Sequence, residues 1–359
     1  LSVTQAFNVS TGYTDQQFIF NVREYMDRFG EAAMLELGAK IEADVAKNMI
    51  SGVTINDPQN TNFGQIQTNS GPYRFYGDGV SPINSFGQLA QALANFRDFG
   101  AAKNKTRGFL PMTVVPNIVN SGLNQFALNR NNEMANDWEL GAFSMCDWYE
   151  SNLLPTQVAG TIGNAAAPNN VITVVSTNDP TGANVTQITF TEPTSGTSST
   201  AILAGDMFQF NDGVSGQPNL RFLTYIGHTI CSQPVQNRAT ANAATTAGTF
   251  TVNLAVPLVW AQNQNQNVNV PIVAGMKATV LPTHKAGMID SGDQLYLAMP
   301  VLPDQDPFTT VNTQDKESGA SIRHYFGVQF GQNVRSYVRD EIHGSTLNQD
   351  NSMRLVFPV

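Results

Sequence analysis

Histidine, cysteine and paired carboxylates are the residues best suited to acid–base, nucleophilic or metal chemistry, and their spacing here offers little of it. His228, His284, His324 and His343 are scattered, with no His-Glu-x-x-His pair and no other zinc-ligand spacing. His228 falls in a turn between two strands and reads as a surface residue. Cys146 lies beside Asp147, but no base can be nominated to activate it, so it reads as a core thiol. Cys146 and Cys231 are the only cysteines, which leaves no disulfide framework and no Cys-x-x-Cys pair and fits a reducing compartment. Asp304-x-Asp306 could hold a divalent ion, although two carboxylates between Pro303 and Pro307 are more simply a turn. Tyr76-Gly-Asp-Gly79 and Asn211-Asp-Gly213 lack the lysine and the following helix of a phosphate loop and read as turns. A Gly-x-Ser-x-Gly elbow is absent. No catalytic, cofactor-binding or metal-binding residue is therefore nominated, no cofactor is expected, and the chain is expected not to be an enzyme. An enzymatic reading would need a deep cleft in which His, Asp and Cys converge in three dimensions.

The composition points the same way. Charged residues make up 13% of the 359 residues, against about 25% in typical soluble proteins. Asn, Gln, Thr and Ser carry the polarity, which suits a surface that meets other copies of itself, because fewer charges must be desolvated. The net charge is −9, and the densest basic cluster, Lys103, Lys105 and Arg107, is too sparse for a nucleic-acid face. No apolar run reaches the roughly 20 residues of a membrane span, and no signal peptide is visible. The chain opens on Leu1 rather than Met, which implies an upstream segment removed or lying outside this sequence.

The elements are organised around one long stretch. Asp15 stands at an N-cap position, and Phe18, Val22, Met26, Phe29, Ala33, Leu37, Ile41 and Val45 follow at steps of three or four, on one helical face. Glu36 and Lys40 stand four apart in the favourable order, and Ser51-Gly52 supplies a stop. A helix of about 35 residues would be roughly 50 Å long. Gly30 and Gly38 weaken its middle and mark candidate bends. A strand over residues 1–10 precedes it. After it come a polar loop to Gly79 with a short hairpin near Tyr73–Tyr76, a helix opened by Ser81-Pro82 and running to Gly100, and a buried strand over Arg107–Pro116. A short helix from Asn117 and a strand-like run from Trp138 to Trp148 complete the section.

Composition shifts near Gly160. Short β-rich runs then recur with turns between them, predicting an all-β sandwich or barrel over about 161–275, inserted in another domain. Gln262–Val270, rich in Asn and Gln, is expected to be an exposed return linker. Strands return at Gln294–Met299, Ile322–Phe330 and Val334–Ile342, and Met353–Pro358 reads as a terminal extended tail.

The order strand, very long helix, mixed domain, inserted β module and return strands resembles the tailed-bacteriophage major capsid proteins of the Hong Kong ninety-seven fold. The similar type is the coat protein of short-tailed Salmonella phages, with its inserted domain. The opening LSVTQAFNV with the Asp15–Met49 stretch is similar to that family's peripheral strand and spine helix. Trp138–Phe143 through Leu153–Gly160 resembles the axial segment before the insertion. Ala204–Asp206 with Phe208, and Phe250–Leu254, resemble the insertion's barrel strands, and Leu295–Pro303 with Ile322–Val328 the closing strands. These motifs are diffuse; their specificity lies in their order. The family places an N-terminal arm and an extended loop before the spine, whereas fourteen residues precede Asp15 here.

The resemblance implies an α+β capsid fold: a peripheral domain with spine helix (1–57 and 321–359), an axial domain (58–160 and 276–320) and an inserted all-β domain (161–275). It implies a structural subunit that self-assembles into hexamers and pentamers of an icosahedral shell. The implied partners are the chain itself, a scaffolding protein and a portal. The shell would enclose double-stranded DNA without sequence-specific binding and without a membrane, in a virion assembled in the host bacterial cytoplasm. The rival reading is a virion-associated or secreted carbohydrate-binding protein, in which the polar β module binds glycans and an aromatic such as Trp260 stacks on sugars.

Overall fold

The computed structural model describes residues 5–14, 32–47, 71–100, 106–122, 142–193, 201–211, 219–224, 227–262, 265–292, 294–304, 309–314, 320–328 and 334–359. In chain order these form β1 (Gln5–Thr14), helix α1 (32–47), β2 (Phe75–Tyr76), helix α2 (Phe86–Asp98), β3 (Thr106–Pro111), helix α3 (Val115–Gly122), β4 (Ala142–Phe143), β5 (Cys146–Ser151) and β6 (Thr156–Gln157). A β-rich stretch follows with β7 (Val171–Thr177), β8 (Val185–Thr191), β9 (Met207–Phe210), β10 (Arg221–Leu223), β11 (Ile230–Pro234), β12 (Gln236–Arg238), β13 (Thr249–Leu258) and β14 (Lys277–Val280). The chain closes with β15 (His284–Asp290), β16 (Leu295–Ala298), β17 (Thr309–Gln314), β18 (Ser321–Val328), β19 (Val334–Leu347) and β20 (Ser352–Pro358).

Two compact units emerge. Of the described residues, the smaller unit takes in 5–14, 32–46 and 295–346, and the larger takes in 71–294 and 347–359. In the smaller unit one sheet runs β1-β19-β18-β17, with β16 also paired to β19. β1 and β19 run antiparallel from Gln5↔His343 to Thr14↔Val334, so strands far apart in sequence are neighbours in this sheet. Helix α1 buries Ala33 and Leu37 one turn apart, with Ala46 beyond them. Glu36 and Lys40 form the expected ion pair at 3.5 Å. Of the stretch predicted as one helix, residues 15–31 and 48–51 lie outside the described residues, as does Gly30.

The larger unit holds two large sheets and a two-stranded one, β10-β11. The first runs β2-β20-β15-β3-β5-β4, with β6 added to β15. Helices α2 and α3 cover it, packing Leu89, Leu93, Phe96 and Ile118 against Leu110, Trp148, Met353 and Phe357. β20 is thus an inner strand, buried on both faces, and not a tail. Such strands read as unbroken apolar runs without alternation, which is why Met353–Pro358 gave no strand signal. Helix α2 begins at Phe86, later than Ser81-Pro82 suggests, because Ser81 is tied into a turn by Asp78 and Ser85 takes the cap. Ser85 Oγ accepts from the Gln88 amide N–H at 3.3 Å, and Gln88 Oε1 accepts from Asn84 N–H at 2.8 Å. β2 pairs in parallel with β20, so no hairpin forms at Tyr73–Tyr76.

The second sheet runs β12-β9-β14-β7-β8-β13. Its ends approach each other. Ala239 bridges to Leu254, and Asn237 Nδ2 donates to Val256 O at 2.8 Å while its Oδ1 accepts from Ala255 N–H at 3.1 Å. A register shift in β13 after Asn253 makes room for that side chain. The result is a nearly closed barrel filled by Ile172, Ile188, Phe190, Phe208, Phe250 and Val252. Of the Asn/Gln-rich segment, residues 263–264 lie outside the described residues and Gln262 and Asn265 are exposed, but 266–270 are tied into the fold rather than forming an exposed linker. Val268 is fully buried, and Asn267 Oδ1 accepts from Val259 N–H while its Nδ2 donates to Pro257 O, both at 2.8 Å. Its polar residues bond strand backbones, a role that composition alone cannot distinguish from solvation.

Candidate functional site

The residues singled out for chemistry do not converge. His228 is exposed at positive φ (49°), its Nδ1 2.9 Å from Gln266 O, as a turn residue. Cys146 is buried in the core beneath α2, and burial pushes its thiol well above the ordinary range, which keeps it protonated and unreactive. Asp304 is exposed and accepts from Asn312 Nδ2 at 3.3 Å, whereas Asp306 lies outside the described residues. Asp78 accepts from the Val80 and Ser81 backbones and from Ser81 Oγ, the turn expected of Tyr76–Gly79. Asp212 and Gly213 are outside the described residues. Among the described residues no group of three or more His, Cys, Asp and Glu is arranged to hold a metal ion, and no helix is long and apolar enough to cross a membrane.

What the sequence does not announce is a set of buried charges. In the larger unit Asp206, 1% exposed, accepts from Gly160 N–H (2.9 Å), Leu203 N–H (2.8 Å) and Gln157 Nε2 (2.9 Å). Burial pushes its carboxyl up to about 6 against the pull of those bonds and of Arg354. Arg354, on β20, donates to Gly205 O at 3.2 Å and stands 3.3 Å from His284 Nε2. His284 Nδ1 donates to Pro282 O at 2.7 Å, which fixes the tautomer with Nε2 as acceptor toward Arg354. Burial, helped by Arg354, lowers His284 to about 3, so it is neutral at physiological pH. Gln236, 3% exposed, pairs with both the N–H and the C=O of Phe75 at 2.8 and 3.0 Å, tying β2 to the barrel. Arg74 is fully buried, donates to Asp350 O at 2.8 Å and lies 4.0 Å over the Phe99 ring.

The smaller unit carries a second such centre. His343 is fully buried, with Nδ1 3.0 Å from Glu341 Oε1 and Nε2 3.0 Å from Asp44 Oδ2. Burial alone would lower its pKa, but the bonds from Asp44 and Glu341 carry it to about 9, so the ring is an imidazolium bound on both nitrogens. It ties α1 to β19. Arg323 grips Asp340 with two N–H groups across β18 and β19. With both ring nitrogens engaged, His343 has neither a lone pair for a proton nor a position for a substrate. These groups act as struts joining elements distant in sequence.

The outward-facing features lie elsewhere. In the smaller unit Tyr296, Leu297, Val301, Val311 and Phe326 are each 44–53% exposed, and Leu35 on α1 is 68% exposed. Trp260, a candidate sugar platform, is instead half-buried against Gly182, where any side chain would collide with its indole.

Similarity to solved structures extends over nearly the whole chain. The capsid structure of cyanophage P-SCSP1u aligns over 99% of this chain and 73% of its own, at 10% identity and TM-score 0.39. The mature capsid of bacteriophage PhiM1 aligns over 99% and 72%, at 8% identity and TM-score 0.36. A structure from Mycobacterium phage Che8 aligns over 98% and 70%, at 7% identity and TM-score 0.39. No family model matches the sequence, and neither does any curated protein. At such identities and scores these likenesses carry no argument, and the functional case rests on this chain's own geometry.

Proposed function

We propose that the chain is a structural shell subunit: a tailed-phage major capsid protein of the Hong Kong ninety-seven fold that self-assembles into hexamers and pentamers. The observation that carries this reading is the distribution of apolar side chains in the smaller unit. Among its described residues only Ala33, Leu37 and Ala46 are buried apolar side chains, while larger ones on β16, β17 and β18 face outward. A sheet that turns Tyr296, Val311 and Phe326 to solvent gains by being covered, and repeated copies of one chain can do so around pseudo-symmetric axes. The low charge content supports the same packing.

In this reading the inserted domain, read from sequence as 161–275, corresponds to the nearly closed barrel, which also takes in β14 and so extends to about residue 280. The peripheral domain, read from sequence as 1–57 and 321–359, takes β1, α1, β18 and β19. Because β20 pairs with β15 in the larger unit, its closing share ends near Leu347. Helix α1 is the described part of the spine. The axial domain, read from sequence as 58–160 and 276–320, takes α2, α3 and the sheet around β15, while β16 and β17 of that range go with β18 and β19. Scaffolding protein, portal and enclosed double-stranded DNA are the partners this role requires, and the bacterial cytoplasm is the place of assembly. Carbohydrate binding has no support in the placement of Trp260. The test is size-exclusion chromatography and negative-stain microscopy of the full chain over a range of concentrations, alone and in a cytoplasmic extract of a host. Capsomers or closed shells are expected; a monomer under every condition overturns the reading.

A further inference from the structure

The sheet of the smaller unit places its charges on inner strands and none on an outer one. The inner strands β18 and β19 hold Arg323, Arg335, Arg339, Asp340 and Glu341. β17, the last strand on its side among the described residues, reads Thr309-Thr-Val-Asn-Thr-Gln314, with no charge and no proline. Sheet edges are ordinarily blunted by lysine, proline or a bulge, because their outward N–H and C=O groups are a template for another strand. β17 uses none of these devices. Its pairing with β18 runs without a register shift from Thr309↔Phe326 to Gln314↔Ser321, and all its residues but Thr310 are exposed.

The two faces of this edge differ. Side chains alternate along a strand, so Asn312 and Arg323, which stand opposite each other, share one face. There the chain covers itself: Asn312 Nδ2 donates to Leu302 O at 3.1 Å, and Arg323 Nη1 donates to Pro303 O at 2.6 Å. The other face holds Thr309, Val311 and Thr313 beside His324 and Phe326. On it Val311 is 53% and Phe326 46% exposed.

The edge is also complementary to itself. A twofold axis normal to the sheet keeps each face on its own side, so it sets odd-numbered residues opposite odd-numbered ones. With the axis at Val311, Val311 of each copy lies opposite Val311 of the other, and Thr309 opposite Thr313. These are apolar and Thr–Thr pairs, which stabilise sheets, and no like charges oppose each other. The apolar face of Val311 and Phe326 then continues from one copy into the next. For a chain of net charge −9, an uncharged strand lets a second copy approach without repulsion at the contact.

We propose that β17 is an intersubunit strand, pairing antiparallel with β17 of a second copy and joining two smaller-unit sheets into one across a twofold axis. This pairing rests on the shell reading and supplies it with one specific contact.

The test is disulfide trapping in the full chain. Cys146 and Cys231 are buried, so an added surface cysteine is the reactive one. Directly opposed residues of an antiparallel pair lie about 4.5–5.5 Å apart at Cα, within disulfide reach. Val311→Cys should give a covalent dimer on a non-reducing gel, with oxidised glutathione as the oxidant. Thr313→Cys alone should not, whereas Thr309→Cys mixed with Thr313→Cys should. Val311→Lys, at an exposed position, sets two like charges on the axis and should weaken self-association about tenfold in sedimentation. Absence of the Val311→Cys dimer overturns the pairing, and leaves the shell reading standing if shells still form. Val311→Cys dimers in a preparation that never yields capsomers or shells support the pairing and overturn the shell reading. Efficient dimers of Thr313→Cys alone, or undiminished self-association of Val311→Lys, would also overturn the pairing.

Discussion

The two units differ in how much apolar core their described residues form. The larger builds extensive apolar cores, although Met145 and Ile230 among others stay exposed: Phe190, Phe208 and Phe250 interlock inside the barrel, and Leu93, Phe96 and Phe357 lie under α2. Its buried charges join elements around an already adequate core. The smaller fixes its described elements with ion pairs, Asp44–His343–Glu341 and Arg323–Asp340, and turns Val311 and Phe326 outward. Those outward side chains contribute little to the isolated subunit and, in the proposed shell, would be covered by neighbours. Folding and assembly draw on different residues, so substitutions should separate them.

The largest effect is expected in the barrel. Phe190 is fully buried, edge-on to Phe208 at 5.7 Å and stacked on Phe250 at 5.9 Å. Phe190→Ala should destabilise the larger unit by about 3–5 kcal/mol, read by urea unfolding. Asp206→Ala strands three donors and should cost about 3 kcal/mol, each unmet donor costing on the order of 1–3 kcal/mol; a loss under about 1 kcal/mol would show that water replaces the carboxylate.

Acid and alkali should act on different units. His343 is raised from 6.5 to about 9, so its contribution is complete below pH 6.5 and is lost as pH rises through 9. His284 is lowered from 6.5 to about 3, so its contribution is complete above pH 6.5 and is lost as pH falls toward 3. Asp206, raised from 3.8 to about 6, works against His284: its contribution is complete below pH 3.8 and gone above 6. The smaller shift makes it the lesser partner. Hydrogen exchange across pH should show β19 loosening in alkali and β15 in acid, and His343→Gln should abolish only the alkaline change.

Gly182→Ala, at φ 73° against Trp260, should cost about 1–3 kcal/mol by thermal unfolding. Smallest of all, Phe326→Ser should change subunit stability by no more than about 0.5 kcal/mol, yet it should reduce assembly measured by light scattering. Equal stability losses for Phe190→Ala and Phe326→Ser would erase the contrast between the units.

Much of this architecture was legible in sequence. The β-rich stretch after Gly160, the α2 stripe of Phe86, Leu89, Leu93 and Phe96, and the Glu36–Lys40 pair all follow from local periodicity or spacing, and all appear. Three features were not legible. β20 lies between β2 and β15, and burial on both faces removes the alternation that marks a strand. Asn267 and Asn237 bond distant backbone, and an Asn-rich run looks the same whether it is solvated or engaged. His343 and Asp44 are 299 positions apart, so nothing in local spacing announces their ion pair.

Amide hydrogen exchange on the assembled protein, compared with the dissociated subunit, tests most directly the view that the smaller unit's outward strands are completed by neighbouring copies. Added protection in the particle should concentrate in Leu295–Ala298, Thr309–Gln314 and Ser321–Val328, with the barrel core equally slow in both states. Unchanged exchange in those three strands within intact particles would contradict the account.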